Sequence, residues 1–526
     1  MNIFCRCKDS VFYLCKNFNI MKILSIEQIR EADRYTIQNE PIASIDLMER
    51  AASEVFQWLE ENAEDEEIVR IFCGLGNNGG DGLALAGMLA ESDFQPHVYM
   101  VWYDDKMSPD CATNYKQLKN KVNVRIHNIR SKKDFPATKS DEIVIDAMFG
   151  SGLNRPIQGL AAELIDYLNE QEAVKVSIDI ASGLFADSPS PKSSIFMPHY
   201  TLTFQTPKLA FMMPENDPFV GELEILDIQL HPQYINEVRT NLFRTELSMI
   251  KSLVHHRPKY SHKGDFGHAL LIAGSEGKTG AALLGAHACL RTGVGLLSVL
   301  LPKSSWTALN TYLPEAMLYT IDDIRPNRNM HCFDDFERLD AFTAIGVGPG
   351  LGKKDDTVRA LKRLIQQVEV PMVMDADALN IMADNKTWLS FLPPKTILTP
   401  HPKEFERLFG KTVNSFERLE LQRSMAMKYQ IIIVLKGANT SIAMPNGIVF
   451  FNSTGNPGMA SAGSGDVLTG IILSLLAQCY LPEEAAVMGV YLHGLAGDLA
   501  ASTYGHHAMV ASDIVFHIFS AYRYFT

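Results

Sequence analysis

Ile68-Val69-Arg70-Ile71-Phe72-Cys73-Gly74-Leu75-Gly76-Asn77-Asn78-Gly79-Gly80-Asp81-Gly82 reads as a buried strand running into a glycine-rich turn, with a helix expected over Leu83–Leu89. A turn of this kind exposes backbone N–H groups beside a helix N-terminus and lets a phosphate approach closely. Gly74, Gly76 and Gly79 satisfy the G-x-G-x-x-G spacing. A dinucleotide fold also requires an acidic residue at the end of the next strand, however, and Asp104 and Asp105 arrive late for that role. An ordinary dehydrogenase is therefore disfavoured. Asn78 adds an uncharged oxygen suited to a hard cation.

Outward from this turn, short apolar runs alternate with helical spacing. Upstream, Ser25 and Gln28 form a capping box before Ile26, Ile29, Ala32 and Asp33, and Leu47, Ala51, Val55 and Leu59 mark a second helix. Downstream, strands are expected at Gln95–Trp102, Glu142–Ala147, Val174–Ile180 and Tyr200–Phe204. The α/β pattern restarts with Ala269–Ala273, Val294–Leu301, Ala344–Val347, Pro371–Asp375, Thr396–Thr399 and Ile431–Lys436. Two three-layer α/β sandwiches follow from this, each a parallel sheet between helices. The expected boundaries are residues 21–235 and 251–526, with a linker over 236–250 and a poorly ordered extension over 1–20.

The bulk properties agree. A chain of 526 residues is too long for one ordinary core. A net charge of -13 argues against nucleic acid or an anionic membrane as the main partner, and no apolar run approaches the ~20 residues of a membrane span. Eight cysteines without a paired zinc-ligand spacing, Cys5, Cys7 and Cys15 included, point to free thiols in a reducing cytoplasm.

In a parallel sheet the C-terminal strand ends converge on one crevice. Two further segments meet the glycine turn there: Asp146-Ala147-Met148-Phe149-Gly150-Ser151-Gly152-Leu153-Asn154-Arg155-Pro156 and Asp179-Ile180-Ala181-Ser182-Gly183. In the second half, Gly274 to Thr279 suggests a P-loop, but Ile272 stands where that motif needs glycine. Asn456-Pro457-Gly458-Met459-Ala460-Ser461-Ala462-Gly463-Ser464-Gly465-Asp466 is more telling. Its small residues feed a helix start whose N–H groups suit a phosphoryl group, and Asp466 stands where it takes a proton from a hydroxyl. Asp375 and Asp377 offer carboxylates for Mg²⁺, with a strand-end turn and helix cap as the alternative. His401 and Glu404 do not form a zinc helix, because Pro400 and Pro402 are expected to break it.

GLGNNGGDG (Gly74–Gly82), DAMFGSGLNRP (Asp146–Pro156) and SIDIASG (Ser177–Gly183) resemble the NAD(P)H-hydrate epimerase domain of the YjeF N-terminal type, a Rossmann-like fold. The resemblance implies potassium on Asn78, Asp146 and Ser182. It implies substrate contacts from Asn77 to Asp81 (Asn77, Asn78, Gly79, Gly80, Asp81), from Gly150 to Pro156 and from Asp179, with Asp179 and Lys208 as catalytic groups. Ala181 stands where this family usually has proline, which loosens the turn, and Ala52 where a helix usually ends in glycine.

HKGDFG (His262–Gly267), DADALN (Asp375–Asn380), LTPHPKEF (Leu398–Phe405), LKGANT (Leu435–Thr440) and the Asn456–Gly470 loop resemble the ADP-dependent (S)-NAD(P)H-hydrate dehydratase domain, a ribokinase-like fold. That resemblance implies nucleotide contacts from Lys436, Gly437, Ala438, Asn439, Thr440 and Gly465. Gly350 and His401 would touch the hydrated dinucleotide, Asp466 would be catalytic, and Mg²⁺ and ADP would be needed. Lys278 stands where this family usually has methionine. Together the resemblances imply an enzyme that repairs NADH and NADPH hydrates, epimerising the R and S forms and dehydrating the S form. A tetramer or octamer is implied as well. The competing reading is a ribokinase-like kinase for a small alcohol, fused to a non-catalytic dinucleotide-binding module.

Overall fold

Ser25 caps the first helix as the sequence predicts: its hydroxyl accepts from the Gln28 amide at 3.3 Å and the Gln28 side chain accepts in return at 3.1 Å. The computed structural model describes residues 20–63, 67–121, 123–319 and 339–525. The expected extension over 1–20, with its three cysteines, lies outside them apart from Ile20. Helices α1 (Ile26–Asn39) and α2 (Ser44–Asn62) precede a seven-stranded sheet. Its elements are β1 (Ile68–Cys73), α3 (Asn77–Leu89), β2 (Gln95–Val101), α4 (Pro109–Leu118), β3 (Arg125–Ile129), β4 (Ile143–Ala147), α5 (Leu160–Asn169), β5 (Val174–Ile178), β6 (Tyr200–Phe204) and β7 (Glu222–Leu226).

All strand pairs are parallel, in the order β3-β2-β1-β4-β5-β6-β7. The strand order reverses between β1 and β4, and ligands bind at the crevice such a reversal opens. β4 is buried along its whole length, as a central strand covered on both faces must be. β3 and β7 were not foreseen. Both lie at sheet edges, where Arg125 and Asn128 or Glu222 and Glu224 interrupt the apolar pattern.

The chain forms two compact units, one carrying Lys22–Thr240 and the other running on from Asn241. The segment 236–250 is not a free linker. Within it β8 (Leu242–Arg244) pairs in parallel with a later strand, and α7 (Leu247–Leu253) buries Met249, Ile250 and Leu253. A strand and helix this short show no readable period, which is why the segment reads as polar connection.

Ten of the second sheet's eleven strands run in the order β8-β17-β16-β15-β14-β13-β12-β9-β10-β11. In chain order these are β9 (His268–Ile272), β10 (Leu296–Leu300), β11 (Met317–Tyr319), β12 (Ala344–Val347), β13 (Met372–Met374), β14 (Ile397–Leu398), β15 (Ile432–Leu435), β16 (Ser441–Ala443) and β17 (Val449–Phe451). β16 is antiparallel to both neighbours and the remaining pairs are parallel. The reversal lies between β9 and β12, and there the Gly274 amide donates to the Pro349 carbonyl at 2.8 Å. Helices α8 (Thr279–Arg291) and α14 (Ser464–Ala477) pack together beside it. α14 is buried from Val467 to Ala477, as an apolar helix at the centre of a layer must be.

Candidate active sites

The first site lies at the β1/β4 reversal. α3 begins at Asn77, six residues before the expected start, so the Asn-Asn-Gly-Gly stretch is helix rather than loop. Gly74 serves close packing: a Cβ there would run into the Met148 carbonyl, so only glycine lets the β1 and β4 loops meet. Among the described residues no side chain caps α3, which leaves its leading N–H groups for another acceptor.

Asn78 is 6% exposed, and neither its Oδ1 nor its Nδ2 has a hydrogen-bond partner among the described residues. An unmet buried amide group costs about 1–3 kcal/mol, so this side chain is suited to an additional partner. Asp146, fully buried at the end of β4, accepts from Ser182 Oγ at 2.6 Å, the Ser182 amide at 2.7 Å, the Met148 amide at 3.2 Å and Ser177 Oγ at 3.2 Å. Burial pushes its carboxyl up to about 6 against the opposing pull of those bonds. The same Ser182 oxygen accepts from the Phe149 amide at 2.8 Å. Asp146 thus ties the ends of β4 and β5 together. Among the described residues no three or more His, Cys, Asp or Glu side chains form a metal-binding group, so an ion here would rest on mixed amide, hydroxyl and carboxylate oxygens.

Asp179 follows β5 with a left-handed backbone (φ 67°), a conformation that strains a non-glycine residue. Its carboxylate pairs with Lys208, which is fully buried and also donates to Thr203 Oγ1 at 2.5 Å. Lys208 is therefore no surface lysine. Asp179 opens into a cavity of about 990 Å³, whose lining includes Asn77, Asn78, Asp81, Gly150, Ser151, Gly152 and Leu153. Gly79 and Gly80 are buried behind that lining, and Asn154, Arg155 and Pro156 run outward, exposed. Tyr103 and Phe149, stacked at 4.7 Å, line the cavity too, as do Arg30 and Asp33 of α1. Asp33 is pushed up to about 6, first by burial and then by repulsion from Asp179, with Lys208 opposing. Asp81 is raised further, by burial and by Asp179 and Asp33. The one sign of Asp33 in the sequence is an acid that follows Ile26, Ile29 and Ala32 in the helical spacing.

The second site forms at the start of α14. Gly463 takes a left-handed backbone (φ 95°) to turn the loop into the helix. This presents the helix N-terminus with Asp466 in its first turn. Asp466 is pushed up to about 6, mainly by burial and then by Asp375, while Lys436 pulls the other way. Behind it, Asp375 is 1% exposed and accepts from Lys436 Nζ at 2.8 Å and Thr469 Oγ1 at 2.9 Å. His493 makes a 3.2 Å hydrogen bond with Ser464 Oγ, and burial drives its imidazole down to about 4, so it is neutral at pH 7.

The neighbouring loops are pinned. Ser275 Oγ donates to the Gly350 carbonyl at 2.7 Å, the Gly352 amide donates to Asp377 at 2.8 Å, and Lys278 pairs with Asp377 at 3.1 Å. Asp375 and Asp377 are thus both held in place by contacts within the chain. His401 caps α12 (Pro402–Phe409), its Nδ1 accepting from the Lys403 and Glu404 amides at 3.1 and 3.4 Å. Pro402 begins this helix instead of breaking it, because the first helical position needs no N–H. After β15, Thr440 Oγ1 bonds the Gly437 amide at 3.1 Å and carbonyl at 2.8 Å, folding Lys436–Thr440 into a tight turn.

With both sites in view, the kinship is clear. Residues 44–210 match the family of the YjeF-related protein N-terminus, and residues 269–519 match the NAD(P)H-hydrate dehydratase family. The bifunctional NAD(P)H-hydrate repair enzyme of Moorella thermoacetica is 35% identical, over 94% of this chain and 95% of its own. The chain belongs to the bifunctional NAD(P)H-hydrate repair enzyme family. The Escherichia coli K12 member is 31% identical over 93% of this chain and 91% of its own. Among solved structures, the Bacillus subtilis ADP/ATP-dependent NAD(P)H-hydrate dehydratase, co-crystallised with ATP and Mg²⁺, is 31% identical. It covers 53% of this chain and 98% of its own, with a TM-score of 0.46. Family membership explains why two unrelated strand-end sites occur in one chain. It does not by itself explain Asp33, Thr469 or His493, which only the folded arrangement brings to notice.

Proposed function

We propose that the chain repairs hydrated NADH and NADPH in two steps, epimerising R and S hydrates in the first unit and dehydrating the S hydrate in the second. The observation that supports this most is the kinship over 94% of the chain together with two equipped strand-end sites, one around Asp179 and one around Asp466. In the hydrate, water has added across the C5–C6 double bond, and the C6 hydroxyl is a poor leaving group. Asp466 takes the hydroxyl proton, the oxygen attacks the terminal phosphorus of ADP, and AMP departs. Loss of phosphate from C6 and of a proton from C5 then restores the ring. The start of α14 stabilises charge on the transferring group through its leading amides. Mg²⁺ neutralises phosphate charge when bound. Asp375 and Asp377 are the carboxylates that would stand nearest such an ion, together with the nucleotide's own oxygens. The turn of Lys436 to Thr440, with Gly465, is the proposed nucleotide contact, and Gly350 and His401 the proposed contacts to the hydrate.

In the first unit Asn78, Asp146 and Ser182 are the proposed potassium site. The unpartnered Asn78 amide supports that reading, while Asp146 and Ser182 contribute oxygens already ordered by one another. Among the described residues Cys73, Cys111, Cys289 and Cys479 are free thiols; a cytoplasmic location is proposed from the cysteine pattern of the sequence. No described helix is long and apolar enough to cross a membrane. Assembly as a tetramer or octamer is proposed from the family resemblance alone. Product stoichiometry tests the reaction: one AMP and one phosphate per NADPH restored supports it. A stable phosphorylated product without recovery of NADPH supports the kinase reading instead.

A further inference from the structure

Asp33 belongs to no motif, yet it faces the first cavity from α1 while Asp179 faces it from the end of β5. Ser25, not Asp33, caps α1, and no hydrogen bond or ion pair within the described chain engages the Asp33 carboxyl. Asp179, in contrast, is paired with Lys208. The two acids therefore sit in one cavity in opposite electrostatic settings, one unpaired and one beside a buried cation. Environments that separate two acids in this way assign them acid and base roles. Asp33, raised to about 6, keeps a proton available near neutral pH, as a general acid must.

We infer that Asp33 and Asp179 are the paired proton-handling groups of the epimerisation, an assignment that rests on the epimerase reading of this unit. The reacting carbon is C6, bonded to both the hydroxyl and the ring nitrogen N1. Asp33 gives its proton to the C6 hydroxyl oxygen, the C6–O bond breaks, and the N1 lone pair forms a C6=N1 double bond as water leaves. Water then adds to the opposite face of C6. Its oxygen forms the new C6–O bond, the C6=N1 electrons return to N1, and its proton passes to Asp179. The reverse reaction exchanges the two roles, and proton exchange with solvent resets them. Asp81 from α3 and Arg30 from α1 complete the charged lining, and Lys208 stands behind Asp179.

The test uses the full chain with purified R hydrate and, separately, S hydrate, in the presence of ADP and Mg²⁺. Asp33→Asn is expected to lower kcat for R consumption by about 100-fold or more, with KM changed by less than about threefold and S dehydration unaffected. Its thermal midpoint at pH 8 should not fall. An R rate within about threefold of wild type overturns the assignment. Should Asp33→Asn also lose stability, Asp33→Glu decides. Recovery of about a tenth of the wild-type rate supports proton handling, and no recovery overturns it. A wild-type chain that does not consume R at all overturns the epimerase reading itself, a separate failure visible before any variant is made.

Discussion

Asn78 carries a buried amide with no partner among the described residues, and a potassium ion held there should show as stability. The wild-type protein is expected to gain about 2–3 kcal/mol in saturating KCl relative to a larger organic cation at equal ionic strength, and Asn78→Ala to gain almost none. Denaturant midpoints in the two salts measure this. Asp33 makes a second prediction with a definite sign. Its folded carboxyl titrates near 6 against 3.8 in the unfolded chain, so the folded state holds the extra proton between these values. Stability therefore falls as pH rises from about 4 to 6 and then levels off. Asp33→Asn removes that penalty. It should raise the unfolding free energy by at most about 2 kcal/mol at pH 8, since solvent reaches the site, and leave it unchanged below pH 4. Urea titrations at the two pH values check it. At this scale the sequence made Asp179, Asp146, Ser182 and Asp466 visible because each ends a strand or starts a helix inside an unusual motif. Asp33 was hidden, because a helix face shows what is near it only once its packing partner is known.

Among elements, α14 depends on the left-handed turn at Gly463, where a side chain would also press on Leu284. Gly463→Ala should cost about 1–2 kcal/mol, and because it displaces the helix start it should weaken ADP binding about tenfold. Calorimetric titration with ADP and Mg²⁺ reads the second effect independently of the first. The strands of both sheet centres were legible because buried parallel strands are continuous apolar runs. The start of α3 was misread for a physical reason: Asn77 to Gly82 has loop composition, and nothing local reveals that its glycines are needed for contact with neighbouring strands. The 236–250 segment failed in the opposite way, as a short strand and helix whose burial comes from partners about 200 residues away. Pro402 shows that a helix breaker read without its position in the helix misleads.

For the molecule as a whole, each unit has its own buried core, a division already visible in the restarted α/β pattern. Two unfolding transitions are therefore expected in scanning calorimetry, with ADP and Mg²⁺ raising one and KCl the other. A single transition raised equally by both would show that the units do not unfold separately. The pairing of activities has a chemical logic at this scale, since spontaneous hydration gives both epimers and the dehydratase family acts on one. The most direct measurement is absorbance at 340 nm on a mixed R and S NADPH hydrate, with the full-length protein, ADP, Mg²⁺ and KCl. Recovery of the dihydronicotinamide band from both epimers, faster for R than its spontaneous conversion, is the predicted result. Recovery from the S form alone would contradict the epimerase assignment, and no recovery with either ADP or ATP would contradict the repair function altogether.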